Sequence, residues 1–418
     1  MVRGMAEADP TGGTLPAGSP PTSAPSSNPP SVSAELPRMA GLDGLRAVAA
    51  VLVVLTHVGF LTGAMSFGVV GRLLGRGDLG VSIFFALSGF LLYAAMQREQ
   101  DRTGRVSVGS YYARRAVRVL PAFWLGLAVV CLVVRPGVGA ALANLGLTQI
   151  YFPDALLPGY TQTWSLATEV SFYLVLPFVF LALRRLGSSR PSIGSRAGRA
   201  DAVAVLAATW VLGVACAAAS GLVEIDGQAL AGRWLPAHWS SFALGMLLAE
   251  IRSRSAGRAH RLVATLAAYP GTCLTLAFGA YLLATTTVAG PLTLDPIAGV
   301  QLAGKEVLGS LVTFGLMAPL LFGSPDAAYA QLLSSGPARY LGRISYGVFL
   351  WHLPVFEAIY AVTGIDYFTG GAIALLALGL PVAIGIAAAS ERFLERPLLA
   401  WVHERTRSAP AGVPPLQG

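Results

Sequence analysis

The chain has 418 residues, of which 54% are hydrophobic and only 12% charged, and its mean hydropathy is +0.63. Many apolar runs of 16 to 25 residues are separated by short arginine-rich pieces, the pattern of an all-α, polytopic membrane protein. The net charge of +8 lies in blocks between apolar runs rather than along one amphipathic face, so it sets topology and excludes nucleic acid as a partner.

Residues 1–37 are rich in Pro, Ser, Ala and Gly and cannot bury enough surface to fold, so a disordered cytoplasmic tail is expected there. No secretory signal precedes Arg38, because a charged start followed by a short apolar region is missing. A membrane domain is expected over 38–400 and a second disordered tail over 401–418. Runs that fit a core of ~30 Å at ~1.5 Å per residue fall near 42–63, 79–97, 117–134, 164–183, 201–220, 234–251, 262–288, 306–323, 344–363 and 372–390. About ten transmembrane helices are therefore expected.

Charge decides the remaining ambiguous run, 137–152. Six arginines in 98–118 and five in 184–199 place both stretches in the cytoplasm. An even number of spans must separate them, and the runs at 117–134 and 164–183 already supply two. Residues 137–152 are thus expected to form a surface or re-entrant segment in an outer loop. In this arrangement 24 of the 29 Lys and Arg are cytoplasmic, and so are both termini. Cys131, Cys216 and Cys273 lie within apolar runs, without metal-site or disulfide spacing, and read as packing residues.

Ionisable groups at membrane depth cost roughly 2.5–3.5 kcal/mol near the centre, so they face a cavity or a partner. In the first run, "GLDGLRAVAAVLVVLTHVGF", Arg46 and His57 are eleven residues apart, close to three helical turns, and share a face. Asp43, three residues before Arg46, is expected to pair with it. His57 is expected about 8 Å below the outer boundary. In "TWSLATEVSFYLVLP", Glu169 is expected at the same level, five residues past Trp164. A carboxylate beside an imidazole fixes its tautomer and suits it to take a proton from a hydroxyl. The alternative is that His57 joins helices by a hydrogen bond and that Glu169 caps or braces one.

In "YYARRAVRVLPAFW", Arg115 and Arg118 share a face at the cytoplasmic mouth of the third run, beside Arg114. Fork-shaped guanidinium groups suit phosphate, or else anchor the helix among lipid headgroups. Ser88 and Gly89, in "GVSIFFALSGFLLY", admit close helix packing or a thin ligand. "ISYGVFLWHLPVFEAIY" sets His352 near mid-membrane with Pro354 expected to kink the helix; His352 ranks below His57 as a catalytic candidate. His238, His260 and His403 lie at run ends or in basic loops and carry no specific signal. Serine-hydrolase, NTPase, dinucleotide-binding and zinc-protease motifs are missing.

Taken in order, "GLDGLRAVAAVLVVLTH", "GVSIFFALSGFLL", "YYARRAVRVLPAFW", "TWSLATEVSFYLVLP" and "SYGVFLWHLPV" resemble the membrane acyltransferase-3 family of bacterial O-acyltransferases that modify sugars, from about Arg38 to Pro397. The resemblance implies an enzyme of the bacterial cytoplasmic membrane that moves an acyl group, usually acetyl, from cytoplasmic acyl-CoA to a hydroxyl on a glycan, glycolipid or glycosylated natural product such as a macrolide. No bound cofactor or metal is implied; acyl-CoA is a substrate. It also implies that Arg46 and His57 form the functional signature, that Arg115 and Arg118 are functional, and that Glu169 is the acidic residue of the W-S-L motif. Some members carry a fused extracytoplasmic domain. None follows the helices here, so delivery to a distant polymer is expected to need a separate partner. The rival reading is a transporter or flippase, for which internal repeats with broken helices would speak; no such repeat is seen.

Overall fold

The computed structural model describes residues 36–187, 201–292 and 297–407. Their regular structure is helical, apart from one isolated bridge between Ile225 and Gln228. In chain order the helices are α1 (Leu36–Leu61), α2 (Gly68–Gly75), α3 (Gly80–Thr103), α4 (Val108–Val134), α5 (Val138–Leu145), α6 (Thr163–Gly187) and α7 (Ala202–Ala219). There follow α8 (Leu235–Ser253), α9 (Arg258–Ala267), α10 (Pro270–Ala284), α11 (Gly299–Phe322), α12 (Ala328–Leu333) and α13 (Gly336–Thr363). A last helical segment, Ala372–Val402, contains π-helical turns at Leu375–Gly379 and Glu391–Glu395. Of the two expected tails, 1–35 and 408–418 lie outside the described residues, whereas 36–37 and 401–407 are helical.

Seven segments are long and apolar enough to cross a membrane, and an eighth is added if α9 and α10, bent by 87° at their junction, form one span. The expectation of about ten counted two further runs, 234–251 and 344–363. Both are helical, as α8 and α13, but neither is among those seven. The reason is placement. Helix α8 is buried on nearly every side and carries His238, Ser240, Ser241 and Glu250 inward; a helix enclosed by other helices needs no apolar outer face. Lipid-facing apolar side chains sit elsewhere, for example Leu132, Val133, Phe178 and Phe278. The ambiguous stretch 137–152 holds only the eight-residue α5 and one 3-10 turn, too short to span. Pro354 lies inside the unbroken α13.

Helix α1 lies between α3 and α13, and α3 packs in turn on α8. The α3–α8 seam depends on small residues. A Cβ on Gly245 would stand 2.0 Å from Ala86 O, and one on Gly89 2.3 Å from Phe242 O. Gly89 is therefore a packing residue, the first of the two uses expected of it, and it does not line the cavity that Ser88 borders. Phe242 fills the seam, stacked on Phe172 with centroids 4.1 Å apart and on Phe85 at 4.5 Å. Gly245→Val is expected to force the two backbones apart and to destabilise the bundle by about 1–3 kcal/mol or more, read as a lower melting temperature and a lower yield of folded protein.

Candidate functional site

His57 stands one turn before the C-terminal end of α1. Its Nδ1 is 2.8 Å from Val53 O, one turn back, and 3.3 Å from Nε2 of His352 on α13. A carbonyl only accepts, so Nδ1 carries a proton, and in the neutral ring Nε2 keeps its lone pair. His352 is fixed in the same way, with Nδ1 3.1 Å from Val348 O, and so offers its Nε2 as an acceptor to His57. The two rings lie with centroids 4.9 Å apart. His352 ranked lower on sequence grounds; 295 residues separate the pair, and no spacing pattern connects them.

His57 borders two cavities. Toward the C-terminal end of α1 lies a vestibule of ≈790 Å³ whose wall includes Gln162, Trp164, Arg233 and Glu357. At its rim, the Tyr367 hydroxyl donates to Glu357, and this bond, with burial, pushes its pKa up to about 12. Inward lies a chamber of ≈100 Å³ lined by His57, Asp78, Trp164, Arg233, His238, Lys305 and Glu306. His57, Trp164 and Arg233 border both spaces, so the imidazole stands at their junction.

The chamber contains one ion pair and one imidazole–carboxylate contact missed at the sequence level. Lys305 Nζ donates to Asp78 Oδ2 at 2.5 Å. His238 Nδ1 is 2.7 Å from Glu306 Oε1, and the other carboxylate oxygen of Glu306 accepts from the hydroxyls of Ser240 and Ser241. Lys305 is the chain's only lysine and adjoins Glu306 inside an apolar helix. That pair of ionisable residues at membrane depth was the available signal. Arg76, fully buried nearby, donates to Ala289 O at 3.1 Å and Gly290 O at 2.9 Å, which ties the segment before α3 to the one after α10.

A third cavity, ≈70 Å³, opens toward the arginine-rich side and is lined by Arg46, Ser88, Arg115, Arg118, Glu169 and Tyr173. Val81 borders both this cavity and the chamber. Three of the expected cations thus converge from α1 and α4. Arg46 Nε is buried and has no hydrogen-bond partner.

The expected pairing of Glu169 with His57 is not formed. Ser88 donates to Glu169, as does Tyr173 at 2.7 Å, so its carboxylate belongs to the arginine cavity. Residue counting along a helix does not settle which way a side chain faces, and Glu169 turns to Ser88 of α3 and to the cavity that Arg115 and Arg118 of α4 line. Two further expectations are corrected. Arg114 turns away to Glu99 at 3.4 Å and Ser110 at 2.5 Å and does not line the cavity. Asp43 lies in the field of Arg46, Arg118, Arg339 and Arg343, but forms no ion pair with Arg46 among the described residues. The pH profile of turnover is accordingly expected to be the same for Glu169→Gln as for the parent; a displaced limb would indicate that the carboxylate acts on the imidazole.

Among the described residues no cluster of His, Cys, Asp and Glu is suited to hold a metal ion. The arrangement places an imidazole, protonated on Nδ1, between a wide opening and a cavity lined by three arginines, which can serve proton removal from a hydroxyl.

Comparison with known proteins gives the family. The family model described as "Acyltransferase domain" (Acyl_transf_3) matches residues 39–392. The "Putative O-acetyltransferase SAS0844" of Staphylococcus aureus strain MSSA476 is 31% identical over 175 residues, covering 37% of this chain and 27% of that protein. "O-acetyltransferase OatA" of S. aureus strain NCTC 8325 is 23% identical over 379 residues, covering 86% of this chain and 57% of its own length. The chain thus spans between about a quarter and rather more than half of these relatives. No solved structure matches.

Proposed function

The chain belongs to the Acyl_transf_3 acyltransferase family, a multi-pass membrane protein, and from that premise we propose that it is an O-acyltransferase of a bacterial cytoplasmic membrane. It takes an acyl group, acetyl by likeness to relatives named O-acetyltransferases, from cytoplasmic acyl-CoA to a sugar hydroxyl. The acceptor is a cell-envelope glycan, a glycolipid or a glycosylated natural product. The observation that carries this reading is His57, held with Nε2 unprotonated at the junction of the vestibule and the chamber.

In the proposed reaction the phosphates of coenzyme A dock on Arg46, Arg115 and Arg118 in the inner cavity, and the pantetheine arm extends past Val81 toward His57. The acceptor arrives through the vestibule. His57 Nε2 removes the hydroxyl proton as the oxygen attacks the thioester carbonyl; the tetrahedral intermediate expels the coenzyme A thiolate, and the imidazolium returns the proton to sulfur. His352 supports the positive charge on the imidazolium by accepting from Nδ1. Arg46 acts on the donor, since eleven residues of straight helix put it about 16 Å along the axis from His57. In the alternative route the acyl group rests first on the imidazole.

The test is to incubate membranes containing the protein with isotope-labelled acetyl-CoA and to identify the labelled ester by mass spectrometry. Label appearing on a hydroxylated glycan product supports the reading. Movement of an unmodified glycan across the bilayer without incorporated label supports a carrier instead.

A further inference from the structure

The chamber behind His57 holds polar groups that the proposed transfer does not use. His238 is 94% buried, with a relative exposure of 6%. Its Nδ1 contacts Glu306 Oε1 at 2.7 Å. Glu306 already accepts two hydroxyl hydrogens, from Ser240 and Ser241, so it is a carboxylate acceptor and fixes the His238 proton on Nδ1. The other ring nitrogen, Nε2, is buried and has no hydrogen-bond partner. Asp78 presents the same condition across the chamber: Oδ2 is held by Lys305, while Oδ1 is buried and unpartnered.

Two buried acceptors without donors are costly in an empty protein. They are matched by a ligand that brings hydroxyl hydrogens. Trp164 lies between them and the vestibule, its ring 5.2 Å from that of His238, and supplies the flat apolar face on which the C–H side of a sugar ring rests. Water alone would satisfy the acceptors but would leave the indole face unused.

We infer that the chamber is the acceptor subsite, in which His238 Nε2 and Asp78 Oδ1 each accept a hydrogen bond from a hydroxyl of a polyhydroxylated ring stacked on Trp164, beside the hydroxyl that His57 deprotonates. The inference rests on the proposed transfer to a sugar hydroxyl and assigns the residues that choose the acceptor. His238 is a specificity residue: it orients the ring and takes no part in proton removal. Glu306 is a positioning residue, which acts by fixing the tautomer of His238. Because the chamber is ≈100 Å³, it admits the end of one ring, with the remainder of the acceptor in the vestibule.

The test uses the full chain in lipid nanodiscs and titrates a panel of methyl glycosides (gluco, manno, galacto and 2-acetamido-2-deoxygluco), with binding followed by calorimetry and turnover by release of free thiol from acetyl-CoA. The glycoside bound most tightly is expected to lose at least tenfold in affinity with His238→Phe, about 1.4 kcal/mol, while the KM for acetyl-CoA changes less than twofold. His238→Gln, whose side-chain carbonyl can take the place of Nε2, is expected to restore most of the loss. A monodeoxy derivative lacking the hydroxyl bound by His238 is expected to bind the parent and His238→Phe equally. The inference is overturned if no glycoside binds, if His238→Phe leaves glycoside affinity unchanged, or if donor and acceptor affinities fall together. Should His238→Phe fail to fold, the deoxy series on the parent and on His238→Gln decides alone: equal affinity for every deoxy derivative overturns it. Its failure is separable from that of the transfer itself, because His57→Ala is expected to bind glycoside normally and not turn over.

Discussion

Replacing His57 by alanine is expected to lower kcat for acyl transfer by about 10²–10⁴-fold, the range over which a positioned general base contributes, with the KM for acyl-CoA nearly unchanged. The argument is geometric. Val53 O and His352 Nε2 surround Nδ1, so the residue reaches the chamber and the vestibule only through Nε2. The donor arginines line a different cavity, so donor binding is not expected to depend on the imidazole. Truncation at a mostly buried site, 8% exposed, also leaves a small void, and the control is melting temperature in the same lipid. A variant that turns over at the parental rate would remove His57 from the chemistry; one that loses donor affinity in the same proportion would make its role structural.

The second large effect is expected on the donor side. Arg115→Ala combined with Arg118→Ala removes two guanidinium groups from the cavity that Arg46 shares. Hydrogen bonds to charged groups contribute roughly 1.5–3 kcal/mol each, so the KM for acetyl-CoA is expected to rise by about 10²-fold or more. The reference substrate is S-acetyl-pantetheine, which carries the thioester without phosphates. Its turnover, slow in the parent, is expected to be unaffected by the double substitution. If both donors suffer equally, the arginines hold the helices to headgroups and do not read phosphate. Added salt should weaken acetyl-CoA binding in the parent more than in the variant, since screening acts on the charges that remain.

Together these expectations divide the membrane domain into an inner half that holds the donor and an outer half that holds the acceptor, with Val81 on the boundary. The division explains why Arg46 and His57 lie on one face of α1 yet serve different cavities. Helix α1 passes from one side to the other, and its polar face is used at both ends.

How much of this was legible without coordinates follows from which interactions are local in the chain. Hydropathy sufficed for an all-helical membrane protein, for the positions of most helices and for a non-spanning segment at 138–145, because the cost of exposing backbone and charge to lipid acts on each segment independently. The face shared by Arg46 and His57, and the approach of Arg115 and Arg118 to one cavity, also follow from the period of a single helix. Which helices face one another does not. The depths expected for Glu169 and His57 agree, but the carboxylate meets Ser88 and Tyr173 in the cavity that Arg46, Arg115 and Arg118 line. His57 with His352, His238 with Glu306 and Asp78 with Lys305 join residues 295, 68 and 227 positions apart, and only packing through glycines such as Gly245 brings their helices into contact. Membrane physics acting on single segments determined where each helix runs, whereas side-chain fit between helices distant in sequence decided which polar groups meet.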